Sequence, residues 1–311
     1  MTCMTNKVIA IQGDELSKLN LKTDTTIYLA NEIQSKYRIF YYLPQNLSVI
    51  KNKVFAVGNY IKINYLKNKI SKVSKKIKIN LSLTRYILIR QDPPFNLNYI
   101  STTLILEILS KKVKIINDPK AIRNISEKFY SLNFSKFMPD TIFSNNIIDI
   151  NKFFLKYKKI IIKPIHGHGG NDIHFLNRKF NAKLVKKFLK KHGYIMCQKY
   201  LEKITLGDKR VFIINGKICG VISRVPKPGS FLSNMGKGAV PKLIRLTAKE
   251  IKICNIIAKK LKKDNIFFSG IDFIDGKLNG DINVTSPTGL KTFHDLSNIN
   301  LAKVFWKELK A

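Results

Sequence analysis

Two short stretches of this 311-residue chain hold the side chains best suited to carry a reaction. The first is Lys163-Pro164-Ile165-His166-Gly167-His168-Gly169-Gly170, which follows the apolar run Ile160-Ile161-Ile162. Such a run reads as a buried strand. A lysine at a strand end followed by a glycine-rich loop suits a polyphosphate. The glycines let backbone N–H groups approach the oxygens, and the ammonium neutralises charge. The spacing is not the Walker pattern, which ends Gly-Lys-Ser/Thr and opens a helix. The second stretch holds Asp272, within the alternating Gly270-Ile271-Asp272-Phe273-Ile274, and then Asp281-Ile282-Asn283. Asp275-Gly276 between them is a two-residue hairpin signal, with Ile282 to Thr285 as the returning strand. Asp281 and Asn283 lie two apart and share a face, with Asp272 across from them. Three converging oxygen donors suit Mg²⁺, or Mn²⁺, which takes hard oxygen ligands and completes its shell with water and phosphate. A phosphate loop with a carboxylate pair for a divalent cation implies chemistry on ATP.

Around these stretches the chain reads as an α/β N-terminal domain over 1–120 and an α+β module over 121–311. Val8 to Gln12 is a strand, Thr23-Asp24 cap a helix carrying Ile27, Ala30 and Ile33, and Arg38 to Leu43 is a second strand. Val54 to Val57 and Tyr60 to Ile63 flank Gly58-Asn59 as a hairpin. Tyr86 to Ile89 is a buried strand that delivers Arg90-Gln91-Asp92-Pro93-Pro94-Phe95 to the edge where open α/β sheets bind ligands. A helix around Thr102 to Leu109 and a strand at Val113 to Ile116 complete the first domain. The second part reads as a helix around Glu127, the phosphate loop, a basic helix from Ala182 to Lys191, a strand from Tyr194 to Lys199, and a hairpin from Lys209 to Ser223 turning at Asn215-Gly216. A loop from Pro226 to Pro241, rich in proline and glycine, is long enough to be a lid. A helix from Thr247 to Lys263 precedes the carboxylate hairpin.

The chain has 56 Lys+Arg against 20 Asp+Glu, a net charge of +36, and a hydrophobic share of 45%, enough for a full core. The lysines are scattered among Ile and Asn with no compact basic-aromatic block, which favours an anionic small molecule over a nucleic acid as partner. Cys3, Cys197, Cys219 and Cys254 form no C-x-x-C pair, so free thiols in a reducing, cytoplasmic compartment are expected. No apolar run reaches the roughly 18 residues of a membrane span, and Val8 to Ile11 is too short for a signal-peptide core. Loop residues His166, His168 and His174 lack a carboxylate or cysteine partner for a transition-metal site.

In order, Arg90-x-Asp92-Pro93-Pro94-Phe95, Asn124-x-x-Glu127-Lys128, Lys163-Pro164 with its loop, Asp208-Lys209-Arg210-Val211, Arg224-x-Pro226 and Ile282-Asn283-Val284-Thr285-Ser286-Pro287-Thr288 span nearly the whole chain. This series resembles the ATP-grasp enzymes, and among them the bacterial glutathione synthetases. The resemblance implies a pre-ATP-grasp substrate domain followed by a module whose two subdomains clamp ATP. It also implies a reaction joining γ-glutamylcysteine to glycine through an acyl phosphate, giving glutathione, ADP and phosphate, in a homo-oligomer. By the same resemblance Lys128, Lys163, Gly167, Gly169, Gly170 and Asp208 attend the ATP phosphates, and Gln198, Lys199, Tyr200 and Leu201 the adenine. Arg210 and Lys163 serve the transferring phosphoryl group, and Asp272, Asp281 and Asn283 the magnesium. Arg90, Arg224, Asn234, Ser286 and Thr288 face the dipeptide and the acceptor.

Three positions depart from the family pattern. His166 stands where Lys-Pro-x-Asp-Gly-x-Gly-Gly has its aspartate, Asp281 replaces a glutamate one methylene longer, and Leu232 replaces an arginine before Ser233-Asn234. An extra residue at Asn279-Gly280 offsets the shorter Asp281. Two alternatives stay open on the residues: a ligase for a different carboxylate and amine, and a basic non-catalytic protein that holds nucleotide or nucleic acid.

Overall fold

The computed structural model describes residues 7–65 and 67–311, so Cys3 lies outside the described part. Its first sheet is built from β1 (Val8–Gln12), β2 (Arg38–Ile50), β3 (Lys53–Asn64), β4 (Lys69–Val73), β5 (Ile77–Asn80), β6 (Tyr86–Ile89) and β7 (Lys114–Ile116). The order is β4-β3-β2-β1-β6-β7, with β5 beside β3. Strands β2, β1, β6 and β7 run parallel, and α1 (Thr25–Ile33) and α2 (Leu97–Glu107) supply the crossovers. The continuous apolar runs of β1 and β6 are wholly buried, as strands covered on both faces must be. Asp24 caps α1, its Oδ1 accepting the Ile27 N–H at 2.7 Å.

The β2–β3 pairing corrects the hairpin expected at Gly58-Asn59. Both residues lie inside the twelve-residue β3, and the turn falls at Lys51-Asn52, both at positive φ. Gly58 is there for closeness: a Cβ would stand 2.3 Å from the Tyr41 carbonyl oxygen and 2.8 Å from the Tyr42 Cβ. A glycine inside a strand thus marks a close neighbour here and not a bend.

The second sheet, order β10-β9-β11-β8, is antiparallel and contains β8 (Thr141–Ser144), β9 (Ile160–Pro164), β10 (His174–Leu176) and β11 (Ile195–Lys199). Helices α4 (Ile147–Tyr157) and α5 (Ala182–His192) cover it through Ile150, Phe154, Val185 and Phe188. The helix expected around Glu127 is absent. Helix α3 (Pro119–Asn124) ends before it, a 3-10 segment Phe129–Phe137 begins after it, and Glu127 occupies the turn between.

The third sheet, order β14-β13-β12-β15-β16, is also antiparallel. It comprises β12 (Asp208–Ile214), β13 (Lys217–Val225), β14 (Val240–Leu243), β15 (Phe268–Ile274) and β16 (Lys277–Asn283), with α6 (Ala248–Lys263) on one face. The turns Asn215-Gly216 and Asp275-Gly276 hold positive φ at both residues, as two-residue hairpins of this kind require. The end of the loop expected as a lid, Pro241, is taken into β14, so the free loop is shorter.

Helices α7 (Leu290–Ser297) and α8 (Leu301–Leu309) return the chain to the first sheet. Trp306 is buried and its Nε1–H donates to the Leu29 carbonyl at 2.9 Å. One hydrophobic core therefore contains Ile9, Leu29 and Leu88 together with Phe212, Phe268 and Phe305. Buried Asn117, just past β7, makes the join specific. Its Nδ2 donates to the carbonyls of Phe268 and Val284, both at 2.7 Å, and its Oδ1 accepts from the N–H groups of Phe267 and Phe268. The start of β15 and the end of β16 are fixed against the first sheet by that one side chain.

Candidate active site

On β12, Asp208 and Arg210 are two apart and point to one face. Across the ladders, Arg224 of β13 faces Asp208 and Asp272 of β15 faces Arg210. The result is a buried ionic lattice. Arg224 donates through Nε to Asp208 at 2.8 Å and again through Nη2, while Arg210 grips Asp272 through Nε and, at 2.8 Å, through Nη2. The lattice closes where the Arg224 Nη2 reaches Asp272 at 3.1 Å. Gly270 makes the arrangement possible, since a Cβ there would lie 2.9 Å from the Arg210 Cδ. Burial alone would push the Asp272 carboxyl up, but Arg210 and Arg224 outweigh it and hold the group ionised, well below the usual carboxylate range. Arginines in such a lattice have fixed positions, which is what a reaction dominated by charge placement needs.

The second sheet contributes two lysines. Lys163, at the end of β9, reaches across to the β16 hairpin, donating to the Asn279 carbonyl at 3.0 Å and lying 3.4 Å from Asp281. Lys128 stands 3.3 Å from Asp281 and donates to the Gly167 carbonyl at 2.8 Å. Burial raises the Asp281 carboxyl, yet Lys128 and Lys163 outweigh it and keep it below the usual range. The register between β15 and β16 shifts here, so that Asn279, Gly280 and Asp281 stand against the single Asp272. Gly280 sits at φ +80°, and a Cβ on it would meet the Met196 Cε at 2.3 Å. This bulge carries Asp281 forward to the lysines.

Asp272, Asp281 and Asn283 line one cavity, and the Asn283 Nδ2 is 3.4 Å from Asp272. Two ionised carboxylates and an amide fit a hard divalent cation that takes its remaining oxygens from phosphate and water. Among the described residues no group of three His, Cys, Asp or Glu side chains forms a metal site, His166, His168 and His174 included.

This cavity, about 110 Å³, lies between the second and third sheets and is lined by Lys128, Lys163, the loop glycines 167, 169 and 170, residues 198–201, Asp208, Arg210 and Arg224. At one end Tyr200 packs on Phe175, with ring centroids 4.3 Å apart, and Phe231 of the lid adds a third ring. Ile161, Ile173 and Ile274 complete an apolar slot. The lid rests directly on the phosphate loop: a Cβ on Gly170, at φ +74°, would stand 2.6 Å from the Asn234 Oδ1. Leu232 and Phe231 line the cavity where the sequence led us to look for an arginine, so the lid covers it with apolar surface.

A second cavity of about 350 Å³ adjoins the first and shares Arg210, Arg224, Asn234 and Asn283 with it. Ser286 and Thr288 line this second cavity. Arg90 departs from expectation. It lines neither cavity, and it spends its Nε on Thr26 at 3.1 Å and its Nη2 on the Pro287 carbonyl at 2.9 Å. Its place is behind the wall, holding the first sheet to the loop after β16. Asp208 likewise acts on Arg224 and on Ser233, whose hydroxyl donates to it at 2.6 Å. His166 turns away from the nucleotide cavity to stack near Phe95, and partial burial with Lys128 nearby keeps its imidazole below its ordinary range. Glu127 is the main residue not foreseen in this role. Its Oε1 accepts the N–H groups of Val284 and Thr285 at 2.7 and 3.0 Å, which sets the strand end carrying Asn283. Its sequence signal was the Asn124-x-x-Glu127-Lys128 spacing, which does not reveal what the carboxylate holds.

The architecture is similar to that of a D-cycloserine synthetase, with TM-score 0.69 and 11% identity over 97% of this chain and 98% of that one. It is also similar to D-alanyl-alanine synthetase A from Vibrio cholerae, with TM-score 0.61 and 14% identity over 99% and 98% of the two chains. Fold and site together define an ATP-grasp enzyme, an ATP-dependent carboxylate–amine ligase. Residues 8–123 match the N-terminal domain and residues 127–298 the ATP-grasp domain of prokaryotic glutathione synthetase. Glutathione synthetases from Mesorhizobium japonicum and Bradyrhizobium diazoefficiens are 36% and 32% identical, covering 96% and 97% of this chain and of each relative. One from Buchnera aphidicola is 35% identical over 94% of this chain and 93% of its own. The chain belongs to the prokaryotic glutathione synthetase family.

Proposed function

We propose that the chain joins γ-glutamylcysteine to glycine, converting ATP to ADP and phosphate. The observation that carries this reading is the wall of Arg210, Arg224 and Asn283 shared by the two cavities. A nucleotide in the first and a carboxylate in the second would meet at those residues.

A carboxylate resists amine attack because it lacks a good leaving group. Transfer of the γ-phosphoryl group to one of its oxygens makes an acyl phosphate; the glycine amine then attacks the carbonyl carbon, and phosphate departs with that oxygen. No protein nucleophile is needed, so the work is positioning and charge neutralisation. Lys128 and Lys163 neutralise the phosphates, and Arg210 and Arg224 face the transferring group and the carboxylate from fixed lattice positions. The loop glycines let N–H groups reach the triphosphate, residues 198–201 hold the adenine, and Asn234, Ser286 and Thr288 face the acceptor side. Asp272, Asp281 and Asn283 would hold Mg²⁺, or Mn²⁺, which when bound neutralises phosphate charge. The Phe231–Asn234 lid must lift to admit ATP, since 110 Å³ is well below the roughly 300 Å³ at which ligand pockets usually begin.

We divide the chain into a substrate domain over 1–120 and a catalytic module over 121–311, working as a cytoplasmic homo-oligomer on small molecules rather than nucleic acid. No helix among the described residues is long and apolar enough to cross a membrane. ADP release measured across a panel of acid and amine pairs tests the assignment. Strong stimulation by γ-glutamylcysteine with glycine is expected, and a clearly better pair would replace it.

A further inference from the structure

Glycine reaches the active site at neutral pH as an ammonium ion, which has no lone pair with which to attack an acyl phosphate. A proton must leave it first, and the group that takes that proton must stand where the amine meets the acyl carbon. In this structure that place is the wall shared by the two cavities. Six side chains line both. Arg210 and Arg224 are permanent cations, and the amides of Asn234 and Asn283 have no basic nitrogen. Glu127 spends its Oε1 on the N–H groups of Val284 and Thr285 and on the Thr285 hydroxyl. The sixth side chain is the imidazole of His168.

His168 is set apart from the other two histidines of this region. His166 stacks near Phe95, and the His174 ring packs edge-on against Phe188 with centroids 5.3 Å apart. The one hydrogen bond of His168 among the described residues is through its backbone, the carbonyl accepting the Asn171 N–H at 3.1 Å. Its ring is therefore unengaged. The phosphate loop passes from one cavity to the other at His168-Gly169, which sets that ring beside the site of acyl transfer. Asp24 and Asp92 line the second cavity alone. Resting on the γ-glutamylcysteine and glycine reading, we propose that His168 is the general base for the acceptor amine. The imidazole takes one proton from the glycine ammonium. The freed lone pair forms the C–N bond, the carbon–oxygen bond to the phosphoryl group breaks, and the departing phosphate takes the second proton from nitrogen. Phosphoryl transfer from ATP precedes this step and does not involve His168.

The test compares glycine with hydroxylamine, which is mainly unprotonated at neutral pH and converts an acyl phosphate to a hydroxamate without a base. His168 is exposed and its ring holds nothing in place, so His168→Ala and His168→Gln keep the loop's backbone contacts. With γ-glutamylcysteine and ATP, both variants lose about a hundredfold in kcat/KM for glycine, the lower end of what a general base contributes, and less than about threefold for hydroxylamine. Equal losses with the two acceptors place His168 among the phosphate contacts and overturn the assignment. So does full glycine activity in either variant, since glutamine keeps the hydrogen bonding of the side chain but cannot take the proton. If wild-type enzyme yields hydroxamate but no glycine-dependent ADP, the glycine reading falls and this inference with it.

Discussion

Asp208→Ala probes the lattice most sharply, because Asp208 is 1% exposed and its carboxylate holds Arg224 and Ser233. Removing one member of a buried ion pair costs roughly 3–5 kcal/mol, chiefly through the charge left behind. Arg224 retains Asp272 at 3.1 Å, so the loss should fall near the lower figure, about 3 kcal/mol. At about 2.1 cal/mol/K per residue, the unfolding entropy of 311 residues is about 0.65 kcal/mol/K. The melting temperature should then drop by roughly 5 °C, provided the chain melts as one unit, as the shared core implies. Arg224 would turn wholly to Asp272, disturbing a carboxylate proposed to hold Mg²⁺, and kcat should fall on the order of tenfold. Calorimetry on Asp208→Ala, Arg224→Met and the double variant completes the cycle. The double variant should be more stable than the sum of the single effects by at least about 1 kcal/mol, since it leaves no orphaned charge. Additivity within about 0.5 kcal/mol, or a melting shift below about 1 °C, would refute the lattice as described.

Lys163→Ala should lower turnover on the order of a hundredfold, read by steady-state ADP release. Asp281 has a depressed folded-state pKa, so its ionic contribution to stability is present above the unfolded value near ~3.9 and is lost as pH falls through the folded one. The stability gap between wild type and Asp281→Asn, from denaturant titrations, should be constant from about pH 8 to 5 and shrink below about pH 4. Gly170→Ala combines a left-handed φ with a 2.6 Å approach to Asn234 and should raise KM for ATP several-fold; Asn234→Ala in the same chain should recover only the steric part. Asn117→Ala removes four buried hydrogen bonds and should cost about 2–4 kcal/mol, lowering the melting temperature without shifting KM for glycine.

What the sequence disclosed is what local pattern can encode. Ile160-Ile161-Ile162 before Lys163, the turn pairs Asn215-Gly216 and Asp275-Gly276, and the helix ending at Lys263 all depend on near neighbours and fell where expected. Pairings across strands were out of reach because register is set by distant residues. Nothing near Asp208 announces that its carboxylate faces Arg224, nor does Arg90 announce that its guanidinium closes on Thr26 and Pro287. Gly58 misled for the same reason, since its cause is the Tyr41 backbone on another strand. Glu127 lies outside a helix because bonds to Val284 and Thr285, over 150 residues away, outweigh its helical preference.

In the proposed reaction a carboxylate oxygen accepts the γ-phosphoryl group on the wall between the two cavities. Heavy oxygen placed in the cysteinyl carboxylate of γ-glutamylcysteine follows that step directly. Each glutathione formed should release one inorganic phosphate carrying a single heavy oxygen. Phosphate free of label, with glutathione and ADP still produced in equal amounts, would contradict it.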